Sequence, residues 1–221
     1  MSNYRPITDV WLLSRPKVRY WGAYPSGFLE RARAFLCSET EPLLHVCGGM
    51  VKQYPFAGLG RRDKTVDLDP VTEPDFLMDV RKLGIARGDW FPAPDAGDIL
   101  PIGVGTFTYA LWPAVLIDRP YTHEDAQKYS PLVHDKLPNI NDLLRRCLSI
   151  TKPGGSVGVL DYFLPRPPKL VGESRVIFVA AITVHVGFGN RPRTFSVFRR
   201  EVPRTEDQKK RVRQAIRGRH S

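Results

Sequence analysis

The chain has 221 residues, 42% of them hydrophobic, with 33 Lys and Arg against 23 Asp and Glu, for a formal charge of +10. That size suits one sizeable domain with its own core. No apolar run approaches the roughly 18 to 20 residues of a membrane span, and MSNYRPITDV lacks a secretory apolar region, so the expectation is a soluble cytoplasmic protein.

Residues 4–25 are rich in Arg, Lys, Tyr, Trp and Pro and show no clear periodicity. A helix is predicted over 26–36 (SGFLERARAFL), with Ser26 as N-cap and Phe28, Leu29, Ala32, Phe35 and Leu36 at helical spacing. PLLHVCGG (42–49) reads as a short apolar strand running into two glycines. KTVDLDP (64–70) is a second strand ending in acids, and DFLMDV (75–80) a third short apolar piece closing on Asp79. Residues 84–113 are irregular, with several Pro and Gly, and read as a long loop insertion. AVLID (114–118) is the fourth strand, and HEDAQKYS opens a helical turn or two. LPNINDLLRRCLSIT (137–151) is an amphipathic helix, KPGG a turn, and SVGVLDYF (156–163) the fifth strand. VIFVAAITVHVGF (176–188) and RTFSVFRR (193–200), joined by GNRPR, predict a terminal hairpin.

Strands alternating with helices indicate an α/β sheet covered by helices on both faces. The domain takes up residues 1–200, with 1–41 as an N-terminal segment and helix. Residues 201–221 form a basic tail. From Arg199 onward the chain holds nine basic and three acidic residues, +6 of the total charge. Such a tail favours polyanions through phosphate contacts and counterion release, and Lys209, Lys210, Arg211 and Arg213 are its densest cluster. A solvated terminal helix is the plainer alternative.

Several chemistries find no support. Cys37, Cys47 and Cys147 are widely spaced without a C-x-x-C, which argues against a zinc ribbon or a disulfide framework. The five histidines, His45, His123, His134, His185 and His220, are scattered and form no H-E-x-x-H. No metal is expected. Neither HVCGGM nor GVGTFT carries a phosphate-loop or G-x-G-x-x-G fingerprint.

What remains is a set of polar strand ends. Gly48 and Gly49 let backbone approach a ligand closely after the first strand. Asp67 lies 18 residues beyond Gly49 at the next strand end, where it suits a ribose diol. Asp69 is a second candidate on its solvent side, and Asp79 suits an adenine amino group. Strand-end acids also cap following helices, so one alone decides nothing. All of these groups fall on the carboxyl edge, where open α/β sheets bind ligands.

In this order the motifs resemble class I S-adenosylmethionine-dependent methyltransferases, and in particular the DNA amino-methyltransferases acting on adenine N6 or cytosine N4. LLHVCGG resembles their cofactor loop (Cys47, Gly48, Gly49), TVDLDP the ribose-binding acid, and DFLMDV the adenine-contacting strand. LIDRPY resembles their D/N/S-P-P-Y/F motif, and LLRRCLSITKPGGSVGVLDYF the helix, turn and strand that follow. YWGAYPSGFLERARAFL is similar to a segment that helps hold methionine, which points to Tyr24 and Pro25.

The resemblance covers about residues 20–200. It implies a Rossmann-like, mostly parallel seven-stranded sheet with a C-terminal hairpin, S-adenosylmethionine as cofactor, and a nucleic acid, DNA first, as partner. It implies catalytic roles for Asp118, Pro120 and Tyr121. Asp118 and a carbonyl of the Arg119-Pro120 turn would accept from the target amino group, and Tyr121 would stack on an extruded base. No cysteine lies in a Pro-Cys, which argues against cytosine C5 chemistry. Two departures stand out: Arg119 replaces the first proline, and Pro55 interrupts the helix expected after the glycine turn. Arg119 either points outward to a phosphate or solvent, or pairs with Asp118 or Glu124. Other acceptors (RNA, protein, a small molecule) and a non-catalytic nucleic-acid-binding protein on the same fold remain open.

Overall fold

Four short apolar runs become neighbouring parallel strands in the computed structural model, which describes residues 5–16, 23–54, 56–83, 112–120, 122–129, 137–187, 189–203 and 205. In chain order the strands are β1 (Ile7–Leu13), β2 (Leu43–Val46), β3 (Lys64–Asp67), β4 (Phe76–Leu77), β5 (Trp112–Ile117), β6 (Thr151–Asp161), β7 (Leu170–Val171), β8 (Ser174–Val186) and β9 (Arg193–Arg200). The helices are α1 (Phe28–Leu36), α2 (His123–Tyr129) and α3 (Ile140–Ser149).

The sheet runs β1-β8-β9-β6-β5-β2-β3-β4, with β7 paired to β8 outside that path. Within the path, β9 alone runs against the rest: it is antiparallel to β6 and β8, whereas the other pairs are parallel. Renumbering the parallel strands β2 to β6 as 1 to 5 gives 3-2-1-4-5, the order of a Rossmann-type sheet. The terminal hairpin then extends that sheet as expected.

Side-chain alternation divides the core into two layers. On one face, α1 sets Phe28, Leu29, Ala32 and Leu36 against Ala114, Leu116, Leu160 and Phe195. On the other, α3 sets Leu143, Leu144, Cys147 and Leu148 against Val115, Ile117, Val157 and Val159. Each of these side chains is buried, and full burial of one Leu or Phe is worth about 1.5–3 kcal/mol. Gly158 allows the first layer to close, because a Cβ there would lie 2.8 Å from the Phe195 ring and 3.1 Å from Leu36.

Several local expectations need correction. β1 lies in the segment without visible periodicity; it pairs in parallel with β8, and Trp11 packs among Phe28, Phe35 and Phe195. Its outer side chains Ile7, Val10 and Leu12 are exposed, so no apolar-polar alternation marks it. Ser26 is not the cap of α1: Gly27 occupies that position at φ +76° without a side-chain bond, and the Ser26 hydroxyl donates to the Arg15 carbonyl. Asn139 does cap α3, accepting from the Asn141 and Asp142 N–H groups.

KPGG is not a free turn, because β6 starts at Thr151 and passes through it with a register shift against β5. Helices on both faces hold only in part. After β2, β3 and β4 the chain makes 3₁₀ turns at Val51–Gln53, Pro70–Thr72 and Val80–Lys82. Proline and glycine at 55, 58 and 60 make a longer helix after β2 costly. The 84–113 insertion lies outside the described residues, apart from Trp112 and Pro113, which belong to β5.

Candidate functional site

The connections from β2 and β5 leave in opposite directions along the sheet, β2 toward β3 and β5 toward β6. This is the switch point, where a crevice opens outside the carboxyl ends of the strands. The Asp118 N–H donates to the Val46 carbonyl at 3.2 Å, tying the two strand ends together.

On the β2 side the chain turns through Cys47 at φ +57°, Gly48, and Gly49 at φ +50°. A non-glycine residue in this left-handed region costs about 1 kcal/mol or more; the Cys47 N–H is held by the Val66 carbonyl at 2.9 Å. A Cβ on Gly48 would sit 2.9 Å from the His45 Cβ, so glycine is required for space. Burial pushes the Cys47 thiol well above its usual range, and the Asp67 carboxylate adds to the shift.

Asp67, at the end of β3, accepts from the Gly49 N–H at 2.9 Å and the Asp69 N–H at 3.1 Å. Its pKa is raised, because burial outweighs its backbone hydrogen bonds. An ionised carboxylate offers about four acceptor positions, so two amide donors leave capacity for hydroxyl groups.

The other acids of this half have internal partners. Asp69 is buried rather than on the solvent side, and it caps the turn at Pro70 by accepting from the Val71 N–H. Asp79 caps the turn at Val80 and accepts from the Arg81 Nε and Nη2. Burial works upward on its pKa, yet the Arg81 bonds prevail and hold it below the usual range.

On the β5 side, the Asp118 carboxylate lies 4.0 Å from the Arg193 guanidinium, with side-chain exposures of 7% and 15%. Arg119 corrects the outward reading. It is 8% exposed, and its Nε lies 3.0 Å from Oδ2 of Asp161 at the end of β6. That pair is ionic contact without the alignment of a hydrogen bond, since neither atom has a hydrogen-bond partner among the described residues. The Arg119 Nη1 donates to the Pro120 carbonyl at 3.1 Å, so this carbonyl is engaged by the neighbouring side chain. Burial raises the Asp161 pKa against the opposing pull of Arg119. Tyr121, Lys209, Lys210, Arg211 and Arg213 lie outside the described residues.

Tyr24 sits in the core, stacked on Phe28, with its hydroxyl 3.3 Å from the His45 Nδ1. His45 Nε2 in turn lies 3.3 Å from Asp63, which also holds Arg33 and accepts from the Leu43 N–H. Pro25 lines a separate cleft of about 400 Å³, together with Arg15, Tyr162, Asn190, Arg191 and Arg193. The sequence reading passed over Asp161, Arg193, Arg15 and Arg191. Their partners and neighbours are distant in the chain, and each taken singly is an ordinary charged residue. Among the described residues, no group of His, Cys, Asp and Glu is arranged to hold a metal ion, and no helix is long and apolar enough to cross a membrane.

No family model matches the chain, and no curated protein matches it in sequence. Its structure is similar to that of TrmN from Thermus thermophilus, with 16% identity, a TM-score of 0.46, and 80% of this chain covered. This chain spans 49% of the TrmN chain, about half its length. The N-methyltransferase NodS from Bradyrhizobium japonicum WM9 has 10% identity and a TM-score of 0.43, over 79% of this chain and 93% of that one. An rRNA methylase from Streptococcus thermophilus has 10% identity and a TM-score of 0.39, over 79% and 94%. Identities and scores this low leave the strand order itself to carry the fold. That order describes a Rossmann-like, mostly parallel sheet with a C-terminal antiparallel hairpin and β1 added beyond it.

Proposed function

We propose that the chain is an S-adenosylmethionine-dependent methyltransferase whose acceptor is an exocyclic amino nitrogen of a nucleic-acid base, with adenine N6 in DNA as the first candidate. One observation carries the reading: at the switch point, a glycine turn bonded to a strand-end carboxylate follows β2, and the Asp118 N–H at the end of the adjacent strand is bonded to the last carbonyl of β2.

The residues present fit this cofactor. Gly49, with open space where a side chain would stand, leaves backbone exposed to a close approach, and Asp67 accepts hydroxyl donors of a ribose. S-adenosylmethionine, when bound, supplies an electrophilic methyl group. The chain's own part is to position the acceptor. An exocyclic amino nitrogen is a poor nucleophile, because its lone pair is delocalised into the ring. A carboxylate accepting from its N–H favours the pyramidal form, and Asp118 is the residue assigned to that role. Tyr121 is assigned the stacking face for the base. The Arg119-Asp161 pair stands in for the first proline of the related motif as the device that fixes the turn. Positioning of this kind accounts for most of the acceleration in a direct displacement.

Titration calorimetry with S-adenosylmethionine, followed by transfer of labelled methyl to DNA and to RNA, tests the proposal. Binding that Asp67→Ala weakens, with label on DNA that Asp118→Ala abolishes, is the expected result. Label only on RNA, protein or a small molecule overturns the acceptor. Absence of cofactor binding overturns the enzyme and leaves a nucleic-acid-binding protein on this fold.

A further inference from the structure

The cleft lined by Pro25 draws on three places along the sheet's carboxyl edge. Arg15 follows the end of β1, Tyr162 the end of β6, and Asn190, Arg191 and Arg193 come from the turn and start of the terminal hairpin. Three guanidinium groups therefore converge on one concavity of about 400 Å³, whose lining among the described residues includes no acid. Arg191 lies over the Tyr162 ring at 4.6 Å and over Phe163 at 5.9 Å, and Phe163 is 59% exposed. Arg193 reaches from the same cleft to within 4.0 Å of Asp118.

Planar guanidinium groups match phosphate oxygens bidentately, and aromatic faces beside them accept stacked bases. We propose that this cleft binds a phosphate of a nucleic-acid strand, one placed next to the base presented to Asp118. Arg193 is then shared between that phosphate and the Asp118 carboxylate, so strand binding and the acceptor aspartate are coupled through one side chain. The proposal rests on the reading of Asp118 as the acceptor-facing residue, but its own test needs no methyl transfer.

Fluorescence anisotropy of the full chain with a labelled single-stranded oligodeoxynucleotide, over a salt series, reads it directly. Arg191→Gln and Arg193→Gln should each weaken binding about tenfold and flatten the slope of log K on log salt by about 0.7. Arg145→Gln removes the same charge from exposed α3, outside the cleft, and should change neither. A 5′-mononucleotide should compete at lower concentration than its nucleoside. Equal losses in all three variants would mean that binding is diffuse charge attraction, and an unchanged Arg191→Gln or a nucleoside that competes as well would remove the phosphate; each overturns the proposal. Arg191 is exposed, so its variant guards against misfolding. S-adenosylmethionine calorimetry on the same samples reports separately: its failure in the parent protein overturns the methyltransferase reading, while the anisotropy decides the cleft.

Discussion

The two halves of the sheet's carboxyl edge are built from opposite charges. The β2-β3-β4 half ends in Asp67, Asp69 and Asp79, whereas the β1-β8-β9-β6 half gathers Arg15, Arg191 and Arg193. β5 runs between them and carries Asp118 at its tip. The acidic half uses most of its carboxylates internally, since Asp69 and Asp79 cap turns; Asp75, which binds Lys52 and Lys64, lies at the opposite edge, before β4. Asp67 keeps acceptor capacity beyond its two amide donors. The basic half presents its groups around an open cleft. The contrast suits hydroxyl donors on one side and anions on the other, with the acceptor aspartate on the seam.

Breaking the seam should have the largest effect. Arg119→Met leaves Asp161 buried and unpaired, at a cost of about 3–5 kcal/mol. Chemical denaturation should show this loss, and the double variant with Asp161→Leu should recover most of it. If the double variant is as unstable as the single, the pair is not what holds the turn.

Next comes Asp118→Ala. Methyl transfer should fall roughly 100-fold or more, in the range lost with a positioned acid-base group, while cofactor affinity changes by about twofold at most. A parallel loss of cofactor binding would place Asp118 in the acidic half rather than on the seam.

Asp67→Ala should weaken cofactor binding by roughly tenfold or more, the scale of a hydrogen bond to a charged group, and leave oligonucleotide affinity unchanged. Calorimetry and anisotropy on one sample would show whether the two halves bind independently.

The smallest effect belongs to Asp75. Burial works upward on this carboxyl, but the Lys52 and Lys64 bonds outweigh it and lower its pKa. Its stabilisation is therefore present above the usual aspartate value of about 3.9 and lost as pH falls through the lowered folded value. With Lys52 and Lys64 each about 40% exposed, Asp75→Asn should cost about 1 kcal/mol at pH 7, and the gap to the parent should close as pH falls through that lowered value. A gap constant with pH would mean that the Thr65 contacts, not the lysines, carry the effect.

The sequence displayed those features whose signal is local. Trp112–Ile117 is an unbroken apolar run, and Leu43–Val46 is one apart from His45, because both faces of each are covered. α3 announces itself through its apolar face and Asn139, which caps it. Features that depend on remote partners were hidden. Nothing beside Arg119 indicates that it turns inward, since Asp161 is 42 residues away. β1 was missed because an edge strand exposing Val10 and Leu12 lacks the alternation that marks half-buried strands. Ser26 looked like a cap because its residue type fits, but a left-handed Gly27 intervenes. In the acidic half, Asp67, Asp69 and Asp79 all lie at strand ends as read, yet only their bonding shows which are caps.

The pairing of β1 with β8 also constrains how the molecule is made. Ile7 is registered against Ala180, 173 positions further along the chain. At about 5–20 residues per second, the first strand waits roughly 9 to 35 s on the ribosome for its partner to be synthesised. β2 to β6 are complete by Asp161, before most of β8 exists. The glycine-turn crevice can therefore take shape during translation, whereas the arginine cleft, which needs Arg15 beside the terminal hairpin, is necessarily the last part to close.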